Sequence, residues 1–399
     1  MFSNLGKKAG ILLAAASTLA AFGFGFYFGK TQVSCKVCAP EKLDFSLFWE
    51  AWDVLHQNFV SPEKLDDQKL IYGAISGMVD AAKDPYTVFM SPEDTKMFME
   101  DTTGRFEGVG MEVGIRKGSL QVVSPIKGTP AEKAGLRPGD RILKIDDAVT
   151  VDLSVDEAVS LIRGAKGTTV TLNIFRDDWD KPKDFPIVRA VIEIPSLEWE
   201  LKDVGDGQKV AYIQLYQFTE TADYDFITMA RKISASSSQG IILDLRNDPG
   251  GYLEVAQDIA GWFLERGQIV TIEDRGTKIT RKEYKAEGNS GLLSYPVVVL
   301  INQGSASASE ILAGALRDNR GVKLIGETSF GKGSVQQLEK LTGGASLKIT
   351  VAKWLTPNGS SISEKGLTPD IEVKRTEEDF IANRDPQLDK AIEIIKGLR

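Results

Sequence analysis

Histidine and cysteine are scarce in this chain, and their scarcity excludes several kinds of active site. The 399 residues include one histidine, His56, and two cysteines, Cys35 and Cys38. A protein zinc site usually takes three or four His, Cys or carboxylate ligands, so we expect no metal site and no cofactor. A Ser-His-Asp triad would have to use His56, whose apolar helical surroundings predict a place on a helix face instead.

The chain also lacks an excess of positive charge. Its 48 Lys and Arg residues are outnumbered by 56 Asp and Glu residues, which gives a net charge of −8. Because no basic field is available to hold a polyanion, we expect no nucleic-acid partner. The composition, 42% hydrophobic and 26% charged, is typical of a globular protein with a sizeable core.

One long apolar run lies near the N-terminus. Lys7 and Lys8 precede an uncharged stretch over residues 9–29, and Lys30 follows it. About 20 such residues are enough to cross the hydrocarbon core of a bilayer, and the paired lysines favour a cytoplasmic N-terminus. We therefore predict a transmembrane signal anchor over residues 1–30 that holds the protein at the cell membrane with its catalytic part periplasmic or extracellular. A cleaved signal peptide is the alternative.

Three stretches with different patterns follow a short linker at 31–43, which contains both cysteines but no thioredoxin-like context. Residues 44–104 have apolar residues at three- and four-residue spacing, which predicts a helical region. Residues 105–195 alternate short β-rich runs with two helices. From 196 to 399, strands and helices alternate up to an amphipathic C-terminal helix, which favours an α/β layered core.

The segment Asn302–Glu310 follows an apolar strand, precedes an apolar helix and contains the small-residue run S-A-S-A-S. In α/β sheets, sites form at the carboxyl ends of strands, and a helix N-terminus stabilises negative charge. This position suits Ser307 as a nucleophile that generates an oxyanion. Simple helix capping by serine is the alternative interpretation.

A serine hydroxyl needs a base, and lysine is the natural choice where histidine is missing, provided that burial lowers its pKa. Lys332 stands in the run Gly331-Lys332-Gly333, whose glycines leave room for a close neighbour. If a strand follows, Gln336 shares a face with Lys332 and would hold its amine by a hydrogen bond. A solvated lysine in a turn is the alternative.

Two other motifs overlap this lysine. Residues 326–332 fit G-x-x-x-x-G-K, but Gly333 stands where a phosphate-binding loop needs Ser or Thr. Ser329-x-x-Lys332 has the spacing of another serine-lysine enzyme class, but that motif begins a helix, which the neighbouring glycines disfavour. Ser329 therefore stays a rival nucleophile of lower rank.

The turn Asp248-Pro249-Gly250-Gly251 ends a predicted strand and opens a predicted helix. Its glycine amides are candidates for oxyanion donors, and an ordinary tight turn is an equal alternative.

Together these motifs resemble the carboxy-terminal processing proteases, also called tail-specific proteases, of the S41 peptidase family. The match covers about residues 44 to 396, and its most specific pieces are Gly304–Glu310 and Thr328–Gln336. The resemblance implies an α+β multidomain fold with an N-terminal helical segment, a PDZ domain and a crotonase-like α/β catalytic core.

The resemblance also implies roles for individual residues. Ser307 corresponds to the nucleophile and Lys332 to the base. Gln336 supports the lysine, and Asp318 corresponds to a helix aspartate that orients the helix end. The oxyanion donors would be main-chain amides, one after the nucleophile and one in the glycine turn: Ala308, and Gly250 or Gly251.

Residues 106–111 resemble the carboxylate-binding loop of a PDZ domain, and residues 128–140 resemble the PDZ stretch of these proteases. In such domains, loop amides hold a terminal carboxylate while the peptide adds as a β-strand. The implied partners are protein substrates with free C-terminal tails. The implied tail-binding residues are Gly108, Val109, Gly110 and Met111.

We therefore predict a serine endopeptidase that cuts protein substrates near their C-termini with a Ser-Lys dyad. The main alternative is a catalytically inactive, membrane-tethered PDZ adaptor, which would bind tails without cutting them. A PDZ protease of the Ser-His-Asp type and an acyl-CoA enzyme of crotonase type are further alternatives. The terminal helices of the family fold leave a homodimer open.

Overall fold

The computed structural model describes residues 43–398 except 117, 177, 206, 277–280, 377, 380, 381 and 383. The predicted signal anchor, and the linker up to residue 42 with both cysteines, lie outside the described residues. Within the described part, no helix combines the length and apolar character that spanning a bilayer requires. Two units are distinguished, one ending at Ile71 and the other beginning at Tyr72.

The described part of the first unit contains helix α1 (Ser46–Asn58) and a 3₁₀ turn (Pro62–Lys64). Helix α2 (Asp67–Asp80) begins in the first unit and ends in the second. The single histidine lies on α1. Nδ1 of His56 is 2.9 Å from the carbonyl oxygen of Trp52, and Nε2 is 3.0 Å from Asp67 Oδ1. His56 therefore occupies a helix face, as predicted from its apolar surroundings.

In the second unit, strand β1 (Val88–Met90) precedes helix α3 (Pro92–Thr103). The start of α3 is encoded locally by Ser91, Pro92 and Asp94. The Asp94 N–H donates to Ser91 Oγ at 3.1 Å, and the Ser91 N–H donates to Asp94 Oδ2 at 3.2 Å. This capping box satisfies two helix-end donors and fixes the start of α3.

The predicted PDZ domain is built on short antiparallel strands and two helices. Its strands are β2 (Arg105–Gly108), β3 (Met111–Arg116), β4 (Ser119–Pro125), β5 (Arg141–Ile145), β6 (Ala148–Val149), β7 (Thr169–Phe175), β8 (Lys183–Val188) and β9 (Ala190–Glu193). Its helices are α4 (Pro130–Lys133) and α5 (Val155–Ile162). The main sheet has the order β3-β4-β5-β7-β8 with β6 beside β5, and β2 pairs separately with β9. Alternate residues of β7 are fully buried, which places the core on one face of the sheet.

The predicted catalytic core contains the remaining elements. Its strands are β10 (Leu197–Gly205), β11 (Gln208–Leu215), β12 (Ser238–Asp244), β13 (Ile269–Asp274), β14 (Arg281–Lys285), β15 (Val297–Ile301), β16 (Lys323–Gly326), β17 (Ser334–Lys340), β18 (Ser346–Leu355) and β19 (Ile371–Glu372). Its helices are α6 (Ala222–Ser234), α7 (Leu253–Phe263), α8 (Ala308–Arg320) and α9 (Pro386–Gly397), and a 3₁₀ turn spans Thr342–Gly344. One sheet has the order β10-β11-β12-β15-β16-β19 and is parallel from β11 onward. A second, antiparallel sheet has the order β1-β18-β13-β14, with β17 also paired to β18.

Both faces of the parallel sheet are covered. Ile241 and Leu243 of β12 pack into the core that includes α6, α7 and α8, whereas Ile242 packs toward α9. Strand β15 is buried at every position. Strands covered on both faces read as continuous apolar runs, which is why these segments were recognisable in the sequence.

The predicted fold class is confirmed, since helical, PDZ and α/β elements follow one another along the chain. One helix is longer than its apolar pattern indicated. The pattern ends at Leu316, but α8 continues to Arg320 and is closed by Gly321 in the left-handed conformation with φ of 65°. Glycine adopts this conformation at little cost, so the helix ends where the glycine permits the turn.

Candidate active site

The turn between β15 and α8 places Ser307 at the N-terminus of a buried helix. Its backbone has φ of 55° and ψ of −114°, a conformation that residues other than glycine rarely adopt. The turn is fixed from both sides: the Ser305 hydroxyl donates to the carbonyl oxygen of Leu245 at 2.7 Å, and the Asn302 N–H donates to Ser305 Oγ at 3.0 Å. The strained serine is therefore held by its surroundings rather than by local preference.

The glycine turn after β12 lies directly against this serine. A Cβ atom at Gly250 would come within 2.8 Å of both Ser307 Cβ and the Ala308 nitrogen, so only glycine fits there. A Cβ at Gly251 would lie 2.2 Å from the carbonyl oxygen of Phe218. The Gly250 N–H already donates to Asp248 Oδ1 at 2.8 Å. The structure thus brings all three predicted oxyanion residues together, with the Gly250 amide engaged within its own turn.

The side chain of Glu310 joins the serine turn to the lysine loop. It is 1% exposed, and its carboxylate accepts four hydrogen bonds. Oε2 accepts the main-chain N–H groups of Ser307 at 2.9 Å and Lys332 at 3.0 Å. Oε1 accepts the Ser329 hydroxyl at 2.6 Å and the Gly331 N–H at 2.7 Å. Because two amides converge on one oxygen, Ser307 and Lys332 are neighbours.

Sequence reasoning gave Glu310 no role at the site. Its position three residues after Ser307 matches a capping box, which would have indicated the bond to the Ser307 amide. The bonds to residues 329–332 have no such local signal, because they connect segments that meet only in the folded protein. Burial raises the pKa of Glu310, and hydrogen bonds from the Ser329 hydroxyl and the three amides oppose this rise.

Lys332 has the surroundings that a neutral amine needs. Burial lowers the pKa of Lys332, the positive charge of Lys348 lowers it further, and the negative charge of Glu310 opposes both. The glycines beside Lys332 are required by close backbone contacts: a Cβ at Gly333 would lie 2.2 Å from the nitrogen of Ser363. Among the described residues, no hydrogen bond links the Lys332 amine to the Ser307 hydroxyl, and the two residues are joined through Glu310.

Gln336 does not follow simple strand counting from Lys332. Strand β17 begins at Ser334, and its pairing with β18 shifts between Val335 and Gln336. The Gln336 side-chain amide donates to Ser334 Oγ at 2.6 Å. Gln336 is paired with Thr350, and Lys348 stands two residues from Thr350. Gln336 and Lys348 therefore share one face of the sheet next to the lysine loop.

Two other predicted residues have structural contacts. Asp318 lies 11 residues after Ser307 on α8, about 16 Å along the helix axis at 1.5 Å per residue. Its Oδ2 accepts the Asn358 N–H at 3.0 Å, which fixes a loop at the helix end. Ser329, the rival nucleophile, is buried; its hydroxyl donates to Glu310 and accepts the Leu367 N–H at 2.6 Å. Its hydroxyl is thus engaged in holding the loop.

A groove in the PDZ domain contains the predicted tail-binding segment. Gly108 ends β2, Met111 begins β3, and Val109 and Gly110 lie between them. The segment is fixed through its carbonyl groups: the Ala131 N–H donates to Val109 at 2.8 Å and the Ile126 N–H donates to Gly110 at 3.0 Å. A cavity of about 200 Å³ lies between β3 and α5. Its lining is mostly apolar: Phe106, Val109, Gly110, Met111, Glu112, Val113, Val159, Ile162 and Arg163.

Arg163 lies at the end of this groove and connects the PDZ domain to α3. Its guanidinium lies 4.5 Å from the centre of the Phe106 ring and forms an ion pair with Asp101. Helix α3 is in turn bonded to the catalytic core, since the hydroxyls of Thr95 and Ser346 lie 2.8 Å apart. The contact from Arg163 therefore reaches the core through α3.

Comparison with known proteins agrees with this architecture. The peptidase family S41 model matches residues 209–373, a PDZ domain model matches residues 121–176, and a model of the activating protease CtpB N-terminal domain matches residues 30–94. Carboxy-terminal processing protease CtpB of Bacillus subtilis is 39% identical, covering 82% of this chain and 67% of the relative. The carboxyl-terminal-processing protease of Synechocystis sp. is 37% identical, covering 89% of this chain and 83% of the relative.

A solved structure shows the same relationship. The photosystem II D1 C-terminal processing protease is 26% identical and superposes with a TM-score of 0.54, covering 82% of this chain and 92% of that protein. The fold and these similarities define a serine peptidase with a PDZ domain. The chain belongs to the carboxy-terminal processing proteases of peptidase family S41.

Proposed function

We propose that this chain cleaves protein substrates near their C-termini, with Ser307 as nucleophile and Lys332 as its base. The observation that carries the proposal is the meeting of the Ser307 and Lys332 amides on one oxygen of buried Glu310. This meeting lies at the carboxyl end of β15, where α/β sheets usually carry their sites. The lowered pKa of Lys332 supports its use as a proton acceptor.

The mechanism follows from these groups. Neutral Lys332 takes the proton of the Ser307 hydroxyl as the serine oxygen attacks the substrate carbonyl. Main-chain amides at Ala308 and in the glycine turn stabilise the oxyanion, and Gly251 supplies the second donor while the Gly250 amide is held by Asp248. Lys332 then protonates the leaving amine. A water molecule repeats the sequence on the acyl-enzyme, and Gln336 orients the lysine amine once substrate is present.

The PDZ groove accounts for selection of a tail. The main-chain N–H groups of residues 108–111 hold the terminal carboxylate, and the tail adds as a strand beside β3. Because the groove lining is mostly apolar, we propose that tails with an apolar last residue bind best. One similar protein is named for the C-terminal processing of photosystem II D1, which supports a tail-directed activity here.

We also propose that residues 1–30 anchor the protein in the cell membrane with the catalytic part outside the cytoplasm. The support is the apolar run flanked by lysines. Fractionation of cells that express the full chain or a chain starting at residue 31 tests this. Recovery of the full chain in the soluble cytoplasmic fraction would overturn it. Light scattering of the purified chain measures its oligomeric state and tests for a homodimer.

Mass spectrometry of products from a protein with an apolar tail tests the chemistry. We expect cleavage by the wild type and none by Ser307→Ala or Lys332→Ala, while both variants still bind the tail. Ser360→Ala and Lys365→Ala are matched controls, because both residues are exposed. Cleavage by either catalytic variant would remove that residue from the mechanism. A wild type that binds the tail without cutting it would support the adaptor alternative.

A further inference from the structure

One buried carboxyl group connects the two turns of the proposed active site, and the mechanism above uses it only as the partner of the Gly250 amide. Asp248 is 0% exposed, and its Oδ1 accepts the Gly250 N–H at 2.8 Å. Its main-chain oxygen accepts the Ala306 N–H at 3.0 Å and the Ser309 hydroxyl at 2.9 Å. Asp248 therefore holds the glycine turn with its side chain and the nucleophile turn with its backbone.

The second carboxyl oxygen of Asp248 indicates which protonation state fits. Oδ2 is buried and has no hydrogen-bond partner within the described part of the chain. An ionised carboxylate with an unsolvated, unpaired oxygen is very costly, whereas a neutral carboxylic acid costs much less. Accordingly, burial raises the pKa of Asp248 to about 8, although the hydrogen bond from Gly250 and the nearby Ser309 hydroxyl oppose the rise.

The charged groups of neighbouring segments are committed elsewhere. The guanidinium of Arg246 is held by two other carboxylates, Asp244 and Asp385. On α8, Glu310 is bonded to its four donors, and its own negative charge would repel a second anion. On the lysine loop, Lys332 is the base, and burial disfavours its charged form. None of them offers this carboxyl group a compensating positive charge.

We propose that Asp248 is a positioning residue that acts as a neutral carboxylic acid, holding the glycine turn in place while keeping negative charge away from the oxyanion. This inference rests on the proposed function of Ser307. The glycine bonded to Asp248 packs against Ser307 and the Ala308 nitrogen, where the oxyanion forms. An ionised Asp248 would oppose the charge that develops on the substrate oxygen and would reduce kcat.

The pH dependence of Asp248→Asn tests this inference. Asparagine keeps an acceptor for the Gly250 N–H and stays neutral at every pH. The substrate is a tail peptide that has no groups titrating above pH 6. For the wild type, its kcat/KM should fall tenfold per pH unit above the pKa of Asp248. Asp248→Asn should cleave like the wild type at pH 7 and should not lose activity at higher pH. Asp248→Ala, which removes the acceptor, should lose kcat at pH 7 with KM little changed.

A second variant leaves Asp248 in place. The Ser309 hydroxyl lowers the pKa of Asp248, so Ser309→Ala should move the alkaline decline to higher pH. Near-UV circular dichroism and tail-peptide binding report whether each full-length variant is folded.

The inference is overturned if folded Asp248→Asn declines like the wild type, or is as inactive at pH 7 as Asp248→Ala. If Asp248→Asn does not fold, an unmoved decline in Ser309→Ala overturns it instead. Cleavage by Ser307→Ala would refute the proposed function itself, so the two failures are distinguishable.

Discussion

Replacing Glu310 by glutamine tests how the two catalytic loops are held together. Glutamine keeps one acceptor oxygen and turns the other into an NH₂ group. The amide should face Ser329, whose hydroxyl can accept a hydrogen bond, and this orientation points a donor at the Gly331 N–H. An unpaired buried N–H costs about 1–3 kcal/mol, and exchanging charged for neutral hydrogen bonds adds about 1 kcal/mol. We therefore expect Glu310→Gln to lose about 2–4 kcal/mol of unfolding free energy.

The same substitution should reduce catalysis in a recognisable way. The loop that loses its bond carries Lys332, and a shift of about 1 Å in a catalytic group can cost on the order of 100-fold in kcat. KM for the tail should change little, because the PDZ groove is untouched. The charge of Glu310 raises the pKa of Lys332, so its removal should move the acid limb of the pH–rate profile to lower pH.

Urea unfolding and steady-state kinetics with a tail peptide measure these effects. Glu265→Gln is a matched control, because Glu265 is exposed and its change should stay within about 0.5 kcal/mol. A Glu310→Gln protein with wild-type stability and kcat would show that the four hydrogen bonds do not hold the site. If the acid limb of Glu310→Gln moved to higher pH, the charge of Glu310 would not raise the pKa of Lys332 as stated here.

Two further substitutions separate the chemistry from recognition. Lys348→Met removes a positive charge that lowers the pKa of Lys332. The acid limb of the pH–rate profile should therefore move to higher pH, and activity at neutral pH should drop. Lys348→Arg keeps the charge and should retain the wild-type profile. A shift to lower pH in Lys348→Met would contradict this. Met111→Asp places a charge in the apolar groove, and losing about 1.5 kcal/mol of apolar contact should raise KM for an apolar tail about tenfold. Equal KM values for the wild type and this variant would show that the tail binds elsewhere.

The turn that contains Ser307 was predictable because its signals are local. An apolar strand, a run of small residues and an apolar helix are adjacent in the chain, and together they define the strand–turn–helix that contains Ser307. The role of Glu310 was not predictable in the same way. Its bonds to Ser329 and Lys332 span 19 and 22 positions, and no periodicity relates such distant residues. The unpaired oxygen of Asp248 is likewise visible only once its burial is known.

The relation between Lys332 and Gln336 shows where strand counting fails. Alternation places residues four apart on one face only within a regular strand. Here the strand begins at Ser334, after Lys332, and its register shifts just before Gln336. The extra residue at this shift, Val351, lies in the partner strand β18, so counting fails because Lys332 precedes the strand. The role of Gln336 toward the lysine amine therefore stays a prediction.

Helix α3 contacts the PDZ groove near its C-terminus and the catalytic core in its middle. Near its C-terminus, Asp101 pairs with Arg163 of the PDZ groove. In its middle, Phe98 lies 5.2 Å from the amine of Lys348, whose charge lowers the pKa of Lys332. A protease that holds a tail in one domain and cuts in another needs a defined distance between the two sites. Because α3 contacts both regions, the proposed tail site and the proposed dyad are connected through one helix.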